Sequence, residues 1–166
     1  MTMSLIETVT VGSGGAASIE FTGIPQDGKD LLILHSLRFA GTGDGEQYAV
    51  TINNNSGSIY TWLRLAGSGN NAFSNGASGT AFAYIYANEG GSTANTFGNT
   101  SMYFSNYASS SNKSVSLDGI VANNAVGGSQ NLWAGTAADT NPITSIEIFD
   151  SNDLLEHSTA SLYIIS

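Results

Sequence analysis

Cysteine is absent from the 166-residue sequence, which excludes a disulfide framework and a thiolate metal site. No uninterrupted apolar run comes near the roughly 20 residues that a membrane-spanning helix needs. The first residues, Met1-Thr2-Met3-Ser4, lack the basic region and long apolar run of a signal peptide. The sequence therefore predicts a protein without a membrane partner, and one that would leave a cell by lysis rather than by ordinary secretion.

Charged residues are also scarce, at 10% of the chain against the roughly 25% that is usual in soluble proteins. Only four are basic, and they are spread singly: Lys29, Arg38, Arg64 and Lys113. Because they form no phosphate-neutralising patch, nucleic acid is not an expected partner. The 13 acidic residues bring the net charge to −9, which favours solubility, repels like-charged membranes and suits a basic partner.

Small neutral polar residues take the place of the missing charges. Glycine, serine, threonine, asparagine and glutamine together account for 77 residues, while hydrophobic residues make up 41%. That hydrophobic content argues against disorder, and the length suits one domain with a proper core. A neutral polar surface is typical of proteins packed in an assembly or outside a cell, and it immobilises few long side chains on contact.

Alternation of apolar and polar residues with a period of two runs almost end to end, interrupted by turn residues. Eleven strands are predicted: Leu5–Val11, Ala17–Thr22, Asp30–Phe39, Glu46–Asn53, Ser58–Leu65, Thr80–Ala87, Asn99–Tyr107, Lys113–Ala122, Asn131–Ala137, Ile143–Phe149 and Ser158–Ile165. Glycine- and asparagine-rich turns are predicted at 12–15, 41–45, 53–57, 67–71, 89–95, 109–112 and 124–128. The one candidate helical turn is Asp150–Glu156, with Ser151 as its cap.

This pattern predicts an all-β fold: a single antiparallel β-sandwich over residues 1–166, jelly-roll-like, with about 10–11 strands and no substantial helix. In Leu31–Leu34 both parities are apolar, so this central strand is expected to be covered on both sides. In Ser114–Val121 only Val115, Leu117 and Val121 form an apolar parity, which predicts a half-buried strand.

Candidate binding residues lie in Ile59–Leu65, where only one parity can face the core if one side is solvated. If Leu63 and Leu65 face inward, Tyr60, Trp62 and Arg64 face outward and suit a subunit interface or a glycan site. A strand buried on both faces is the third interpretation. Tyr103 and Tyr107 are a second candidate pair of glycan-stacking rings.

Catalytic and metal-binding patterns are weak. His35 and His157 are far apart in the sequence and are predicted to be structural. There is no G-x-S-x-G elbow. The carboxylate pairs Asp27/Asp30 and Asp150/Asp153 lie in turn-like contexts, where Asp normally accepts local backbone hydrogen bonds. We expect no enzyme activity, no catalytic residues and no cofactor, and calcium at either acidic cluster is the one cofactor class left open.

Several segments resemble one protein family. These are LIETVTVGSGGAASIEFTGIPQ (5–26), DLLILHSLR (30–38), ANTFGNTSMYFSNYASSSNKSVSLDGIVANN (94–124), ITSIEIFDS (143–151) and HSTASLYII (157–165). They resemble small β-rich virion structural proteins of tailed bacteriophages, frequent in phages of marine bacteria and cyanobacteria. The resemblance spans about residues 5–165 and brings no catalytic residues with it.

The resemblance implies a place on the virion surface, assembled in the host cytoplasm and extracellular after lysis. Two roles stay open. The first is a capsid decoration protein, a cement protein or head-fibre knob that binds the major capsid protein as a homotrimer. The second is a tail, tail-fibre or baseplate appendage that binds host surface glycan. Residues 1–11 are expected to form an edge strand or a docking segment.

Overall fold

The chain forms twelve β-strands in a computed structural model that describes residues 2–43, 46–122 and 128–166. The predicted turns at 41–45 and 124–128 lie in part outside these residues, as does Met1. The strands are β1 (Met3–Thr10), β2 (Ala16–Phe21), β3 (Asp30–Leu37), β4 (Glu46–Ile52), β5 (Tyr60–Ser68), β6 (Asn71–Gly79), β7 (Phe82–Ala87), β8 (Gly98–Ser105), β9 (Lys113–Ala122), β10 (Gly128–Ala137), β11 (Ile146–Leu154) and β12 (Thr159–Ile165).

The strands form two antiparallel sheets of unequal width. The large sheet has eight strands in the order β1-β12-β3-β8-β9-β10-β5-β6, and the small sheet has four in the order β2-β11-β4-β7. The two sheets pack face to face as a sandwich, which confirms the predicted all-β sandwich. The jelly-roll connectivity stays a prediction. The described residues contain no helix, and so none that could cross a membrane.

The core lies between the sheets and consists mainly of alternate residues from the strands other than β1 and β6. Its centre is a group of aromatic rings around Phe82 of β7. The Phe82 ring centroid lies 4.8 Å from that of Tyr60 and 5.5 Å from that of Trp133, both edge to face, and 6.3 Å from that of Phe104. Such aromatic pairs add attraction beyond the area they bury, so this group fixes how the small sheet sits on the large one.

Two local predictions are wrong. The segment expected to form a helical turn, Asp150–Glu156, begins instead as the end of β11, with a register shift between Phe149 and Leu154. The Asp150 carboxylate accepts a hydrogen bond from the Asn152 N–H at 3.0 Å, and this local bond competes with a helical turn. Leu31–Leu34 is central but covered on one side only, because Leu34 is exposed.

Strand β6 was missed because its sequence, NAFSNGASG, has the composition of a loop. It pairs with β5 in an unbroken register from Ser68↔Asn71 to Tyr60↔Gly79. The two-residue connection between them begins at Gly69, whose φ is 58°. Glycine with positive φ at the first central position is the mark of a type II′ hairpin turn. The turn predicted at 67–71 therefore closes a hairpin.

Three of the four basic residues are buried, and two of them, Arg38 and Lys113, hold loops through backbone carbonyls. The Arg38 guanidinium donates to the carbonyls of Thr93 at 2.8 Å, Thr96 at 2.9 Å and Ser92 at 3.0 Å. The Lys113 ammonium donates to the carbonyl of Ser109 at 2.7 Å and to that of Ser111. Hydrogen bonds from a charged donor are stronger than neutral ones, so these side chains order the loops at 89–97 and 108–112.

We expect two matched leucine truncations to separate the two faces of the large sheet. Leu117 of β9 is 2% exposed, whereas Leu132 on the neighbouring strand β10 is 62% exposed. Leu117→Ala removes buried apolar contacts and should lower the free energy of unfolding by about 2–5 kcal/mol. Leu132→Ala should change it by less than about 0.5 kcal/mol. Urea unfolding followed by tryptophan fluorescence measures both, and equal losses would contradict the face assignment.

Candidate functional site: the outer face of the large sheet

The outer face of the large sheet points away from the small sheet, and no described residue covers it. Residues opposite one another in neighbouring strands share this face, and they form rows across the sheet. One row, read from β12 to β5, is Ser161, Leu34, Ser101, Asp118, Leu132 and Leu65. This row alone takes one side chain from each of six strands. The strand register therefore fixes which side chains of the site lie next to one another.

Five exposed aliphatic side chains of this face lie on β3, β9, β10 and β5. Their exposed fractions are 41% for Leu34, 71% for Leu63, 56% for Leu65, 43% for Ile120 and 62% for Leu132. Leu132 and Leu65 are direct cross-strand partners on β10 and β5. A single exposed leucine is ordinary on a soluble protein, but a cluster of them marks an interaction surface.

A groove of about 930 Å³ crosses this face at right angles to the strands. Its lining comes from every strand between β12 and β6, with Leu34, Leu65, Ile120 and Leu132 as its apolar walls. A second depression of about 770 Å³, which also contains Leu63, shares Leu65 and Leu132 with the first. The two depressions thus make one continuous apolar region over β9, β10 and β5.

Serine and threonine hydroxyl groups occupy other positions of the face and pair across strands. Hydrogen bonds join Thr8 to Ser161 at 2.8 Å, Ser105 to Ser114 at 2.9 Å and Thr61 to Thr136 at 2.7 Å. Within the groove the Ser101 hydroxyl donates to the Asp118 carboxylate. These short side chains leave a low surface that a partner can approach closely, and each pair can exchange its bond for one to a partner.

The electrostatics of the face are simple. Asp118 is the one charged side chain that lines the groove among the residues described. Arg38, Arg64 and Lys113 are buried, and Lys29 is the exposed cation of the chain. The protein surface is therefore neutral or acidic, and it offers a partner hydrogen bonds and apolar contact rather than positive charge.

The predicted outward parity of β5 is wrong. Tyr60 and Trp62 are 0% and 4% exposed and belong to the core, whereas Leu63 and Leu65 face solvent. Trp62 stacks on Trp133 with ring centroids 6.3 Å apart, and the Tyr60 hydroxyl donates to the Asn55 carbonyl at 2.8 Å. Burying the larger rings removes more apolar area from water than burying the leucines would. The interpretation that both faces are buried is wrong as well.

Arg64, the third residue of that predicted set, is buried in a cage of aromatic rings. Its guanidinium carbon lies 4.9 Å from the ring centroid of Tyr86, 5.1 Å from that of Phe73 and 5.9 Å from that of Tyr84. Its Nε donates to Asn75 Oδ1 at 3.1 Å. Cation–π attraction strengthens when the cation is desolvated, so Arg64 ties β6 to β7 rather than contacting a ligand.

The second predicted pair is also structural. Tyr107 is buried and its hydroxyl donates to the Pro25 carbonyl. Tyr103 is half-buried on the outer face, and its hydroxyl donates to Asp30 at 2.6 Å. That hydrogen bond to the carboxylate raises the pKa of Tyr103 above its usual value. Tyr103 therefore lies on the outer face and Tyr107 lies in the core, so the two rings do not form a common groove.

The candidate catalytic and metal-binding groups are dispersed. His35 is buried under the groove and His157 is exposed in a turn. The Asp30 carboxylate is occupied by Tyr103 and by the Asn106 N–H at 2.8 Å. No three His, Asp or Glu side chains in residues 2–43, 46–122 and 128–166 lie together as a metal site would need. Calcium binding at the acidic clusters stays a prediction without a described ligand set.

Sequence reasoning missed the outer-face cluster, although the residues that form it carry a signal. Leu63 and Leu132 each adjoin a tryptophan that the core takes instead, Trp62 and Trp133, and Ile120 adjoins the buried Val121. Apolar residues at both odd and even positions of a strand therefore indicated an exposed apolar surface in addition to the core. No protein-family model and no curated protein matches this chain, so the resemblance to virion proteins stays a prediction.

The buried histidine predicts how stability depends on pH. Burial lowers the pKa of His35 from 6.5 to about 3, and its Nε2 lies 2.8 Å from the Tyr48 hydroxyl. His35 is therefore protonated in the unfolded chain below pH 6.5, whereas in the folded chain it stays neutral down to about pH 3. The free energy of unfolding should fall by about 1.4 kcal/mol per pH unit below 6.5 as a result.

Urea unfolding between pH 6.5 and pH 5 measures this dependence above the range where most carboxylates titrate. We expect His35→Gln to remove the slope, whatever its effect on stability at pH 7. His157→Gln is the matched control and should keep it. A slope that survives in His35→Gln would show that another group carries the dependence.

Proposed function

We propose that the protein is a non-enzymatic structural protein of a bacteriophage particle, a capsid decoration protein that binds the outer shell through the outer face of its large sheet. The exposed aliphatic cluster of Leu34, Leu63, Leu65, Ile120 and Leu132 carries this proposal. Its support is physical, since these side chains gain free energy only when a partner removes them from water. The resemblance of the sequence to virion proteins directs the choice of partner.

The composition of the face suits another protein as its ligand. Cores of protein interfaces are apolar and depleted in charge, with hydrogen-bonding groups at the rim. Here aliphatic side chains occupy the middle of the face, and serine and threonine hydroxyls surround them. Asp118 offers one carboxylate to a basic or hydroxyl-bearing group of the capsid protein. A broad, shallow contact of this kind binds a lattice of identical subunits.

In this proposal each copy lies across neighbouring capsid subunits and bridges them. A ligand that binds only the assembled shell stabilises it by mass action, so decoration raises the resistance of the shell to expansion and disassembly. Assembly takes place in the host cytoplasm, and lysis releases the decorated particle. The homotrimer and the docking role of residues 1–11 stay predictions. Strand β1 lies at an edge of the large sheet, where a docking segment would be accessible.

A non-enzymatic role also agrees with how the acidic pairs are used. The Asp150 carboxylate accepts hydrogen bonds from the Ser151 hydroxyl at 3.3 Å and from the Asn152 N–H at 3.0 Å. Asp30 is held by Tyr103 and Asn106. Carboxylates engaged in local structure are poor candidates for the acid and base of a glycosidase.

A glycan-binding tail appendage is the weaker alternative. It required exposed rings, and Tyr60, Trp62 and Tyr107 are buried. Tyr103 is half-buried on the outer face, with its hydroxyl bonded to Asp30. Two rings, Phe73 and Tyr84, are more exposed, and both contact Arg64 on the inner side of β6 and β7. No aromatic ring lines the groove on the outer face among its described residues. The groove thus lacks the flat stacking surface that sugars use.

Localisation on the intact particle tests the proposal directly. Cryo-electron microscopy of the phage that encodes this chain should show it over the capsid lattice, with the outer face of the large sheet against the shell. Density confined to the tail or its fibres would favour the glycan-binding alternative. A particle without the chain would overturn both.

Two charge substitutions test the contact surface. We expect Leu65→Asp and Leu132→Asp to keep the fold, because both side chains are exposed, and to reduce binding to particles grown without the gene. Placing a carboxylate in a desolvated apolar contact should weaken binding by about 10-fold or more. Thr22→Asp, which adds the same charge at an exposed site beside β2, is the control. Co-sedimentation with the particles measures occupancy, and equal occupancy for all three would contradict the assigned surface.

A further inference from the structure

Strand β6 is an unprotected edge of the large sheet. Three of the four sheet edges carry features that hinder strand addition. β1 has a bulge between Leu5 and Glu7, and Glu7 is charged and exposed. β7 contains Tyr84 with φ of 63° beside a register shift. β2 carries the charged Glu20, and its pairing with β11 is irregular between Ser18 and Ala16. β6 has no charge, no proline and no break in its register.

The hairpin turn decides which backbone groups of β6 are free. In a two-residue hairpin the closing pair, here Ser68 and Asn71, exchanges both hydrogen bonds. Bonding to β5 then repeats at every second residue. The other residues direct their N–H and C=O groups to the open edge, and they are Ala72, Ser74, Gly76 and Ser78. All four side chains are small, so nothing obstructs a strand that approaches from this side.

We propose that β6 pairs antiparallel with β6 of a second copy of this chain, about a two-fold axis through Asn75. This contact does not depend on where on a particle the protein sits. It joins two large sheets into one continuous sheet and adds about eight backbone hydrogen bonds, two for each pair of edge-directed residues. The axis makes the contact isologous, so the same nine residues serve on both sides.

The side chains fit this register. The hydrogen-bonded pairs are Ala72 with Ser78 and Ser74 with Gly76, each formed twice by symmetry. Between them, Phe73 lies opposite Ala77 on the inner side, so a large ring meets a small residue. Phe73 is 40% exposed in one copy, and pairing covers part of its ring.

Leu63 extends the fit on the outer face. It lies over Gly76, where a Cβ would come within 2.5 Å of the leucine Cδ2 and 2.6 Å of the Trp62 carbonyl oxygen. In the two-fold pair, Gly76 is opposite Ser74 of the other copy. The two Leu63 side chains thus lie on either side of the axis and continue the apolar region from one copy to the next.

A second copy suits this edge better than an unrelated charged partner. The chain has a net charge of −9, yet no charged residue lies in β6. The nearest charge is the buried Arg64 guanidinium, which is bonded to Asn75 and enclosed by aromatic rings, so no exposed charge opposes a second copy at this edge. An edge contact of nine residues belongs to the small, transient class of interfaces, below about 1,200 Å². It should be weak in dilute solution and become populated where copies are held close together.

Backbone amide hydrogen exchange as a function of protein concentration tests the contact. The amides of Ala72, Ser74, Gly76 and Ser78 should gain protection as the concentration rises, in step with dimer formation in sedimentation velocity. The amides of Phe73 and Asn75, already bonded to β5, should change little. Free exchange at the four edge amides at every concentration would overturn the proposal, even if the chain forms a trimer through another surface.

Two substitutions of Ser74 provide the matched variants. Ser74→Pro removes an edge-directed N–H without touching the bonds to β5, and proline is tolerated at such positions of edge strands. Ser74→Lys places a charge opposite Gly76 of the second copy. It serves as the test variant if proline disturbs the structure of β6. Each should lower the association constant by at least about tenfold. Ser116→Lys, on the outer face of the interior strand β9, should leave it unchanged.

Other assemblies give different results. Head-to-tail pairing of β6 with β1 would protect β1 amides as well and would build species larger than a dimer, which would overturn the two-fold pairing. Dimers that persist in both folded Ser74 variants would do the same. Tryptophan fluorescence confirms that each variant keeps the core, because Trp62 and Trp133 lie directly under this end of the sheet.

Discussion

The unequal width of the two sheets is the constraint on which the rest of the molecule depends. A four-stranded sheet can cover only part of the inner face of an eight-stranded one, so the flanks of the large sheet need other support. On the β6 side that support is Arg64, which lies between β6 and the edge strand β7 of the small sheet and contacts the rings of Phe73, Tyr84 and Tyr86. No described residue covers the outer face. Its aliphatic side chains are therefore exposed because of how the sheets stack, and the edge at β6 is exposed for the same reason.

Three of the four basic residues act inside the protein rather than on its surface. Arg38 and Lys113 bind backbone carbonyls of long loops, and Arg64 lies among aromatic rings. Buried charged donors of this kind are held by several carbonyl dipoles, and Lys113 also by the charge of Asp139. Burial of a charge is costly unless each donor finds an acceptor. The consequence for function is a surface with almost no positive charge. A partner must then be recognised by apolar contact and by hydroxyl and backbone hydrogen bonds, which favours a protein surface over a phosphate-bearing one.

Period-two alternation predicted the class of fold and eleven of the strands, because a half-buried strand leaves a direct trace in the sequence. It could not assign faces where both parities are apolar. In β5 the pairs Tyr60/Trp62 and Leu63/Leu65 are both suitable for a core, and only the packing of Trp62 on Trp133 across β10 decides between them. The alternation pattern missed β6 for another reason. Its residues have no intrinsic preference for a strand, and it is extended because the turn at Gly69 returns the chain alongside β5.

An exposed aliphatic cluster and an unprotected strand edge are both hazards for a soluble protein, since each promotes association with the wrong partner. This chain keeps both on one sheet, and a net charge of −9 keeps copies apart at long range. Repulsion of that kind fades within about 8 Å at physiological salt, so it slows encounters without opposing a contact once formed. In the proposed role, both surfaces stay free until many copies reach the capsid lattice. Long-range repulsion combined with short-range attraction suits that delay. The outer face would then hold the protein to its partner, and β6 would hold neighbouring copies to each other, with the two contacts reinforcing one another because they share one rigid sheet.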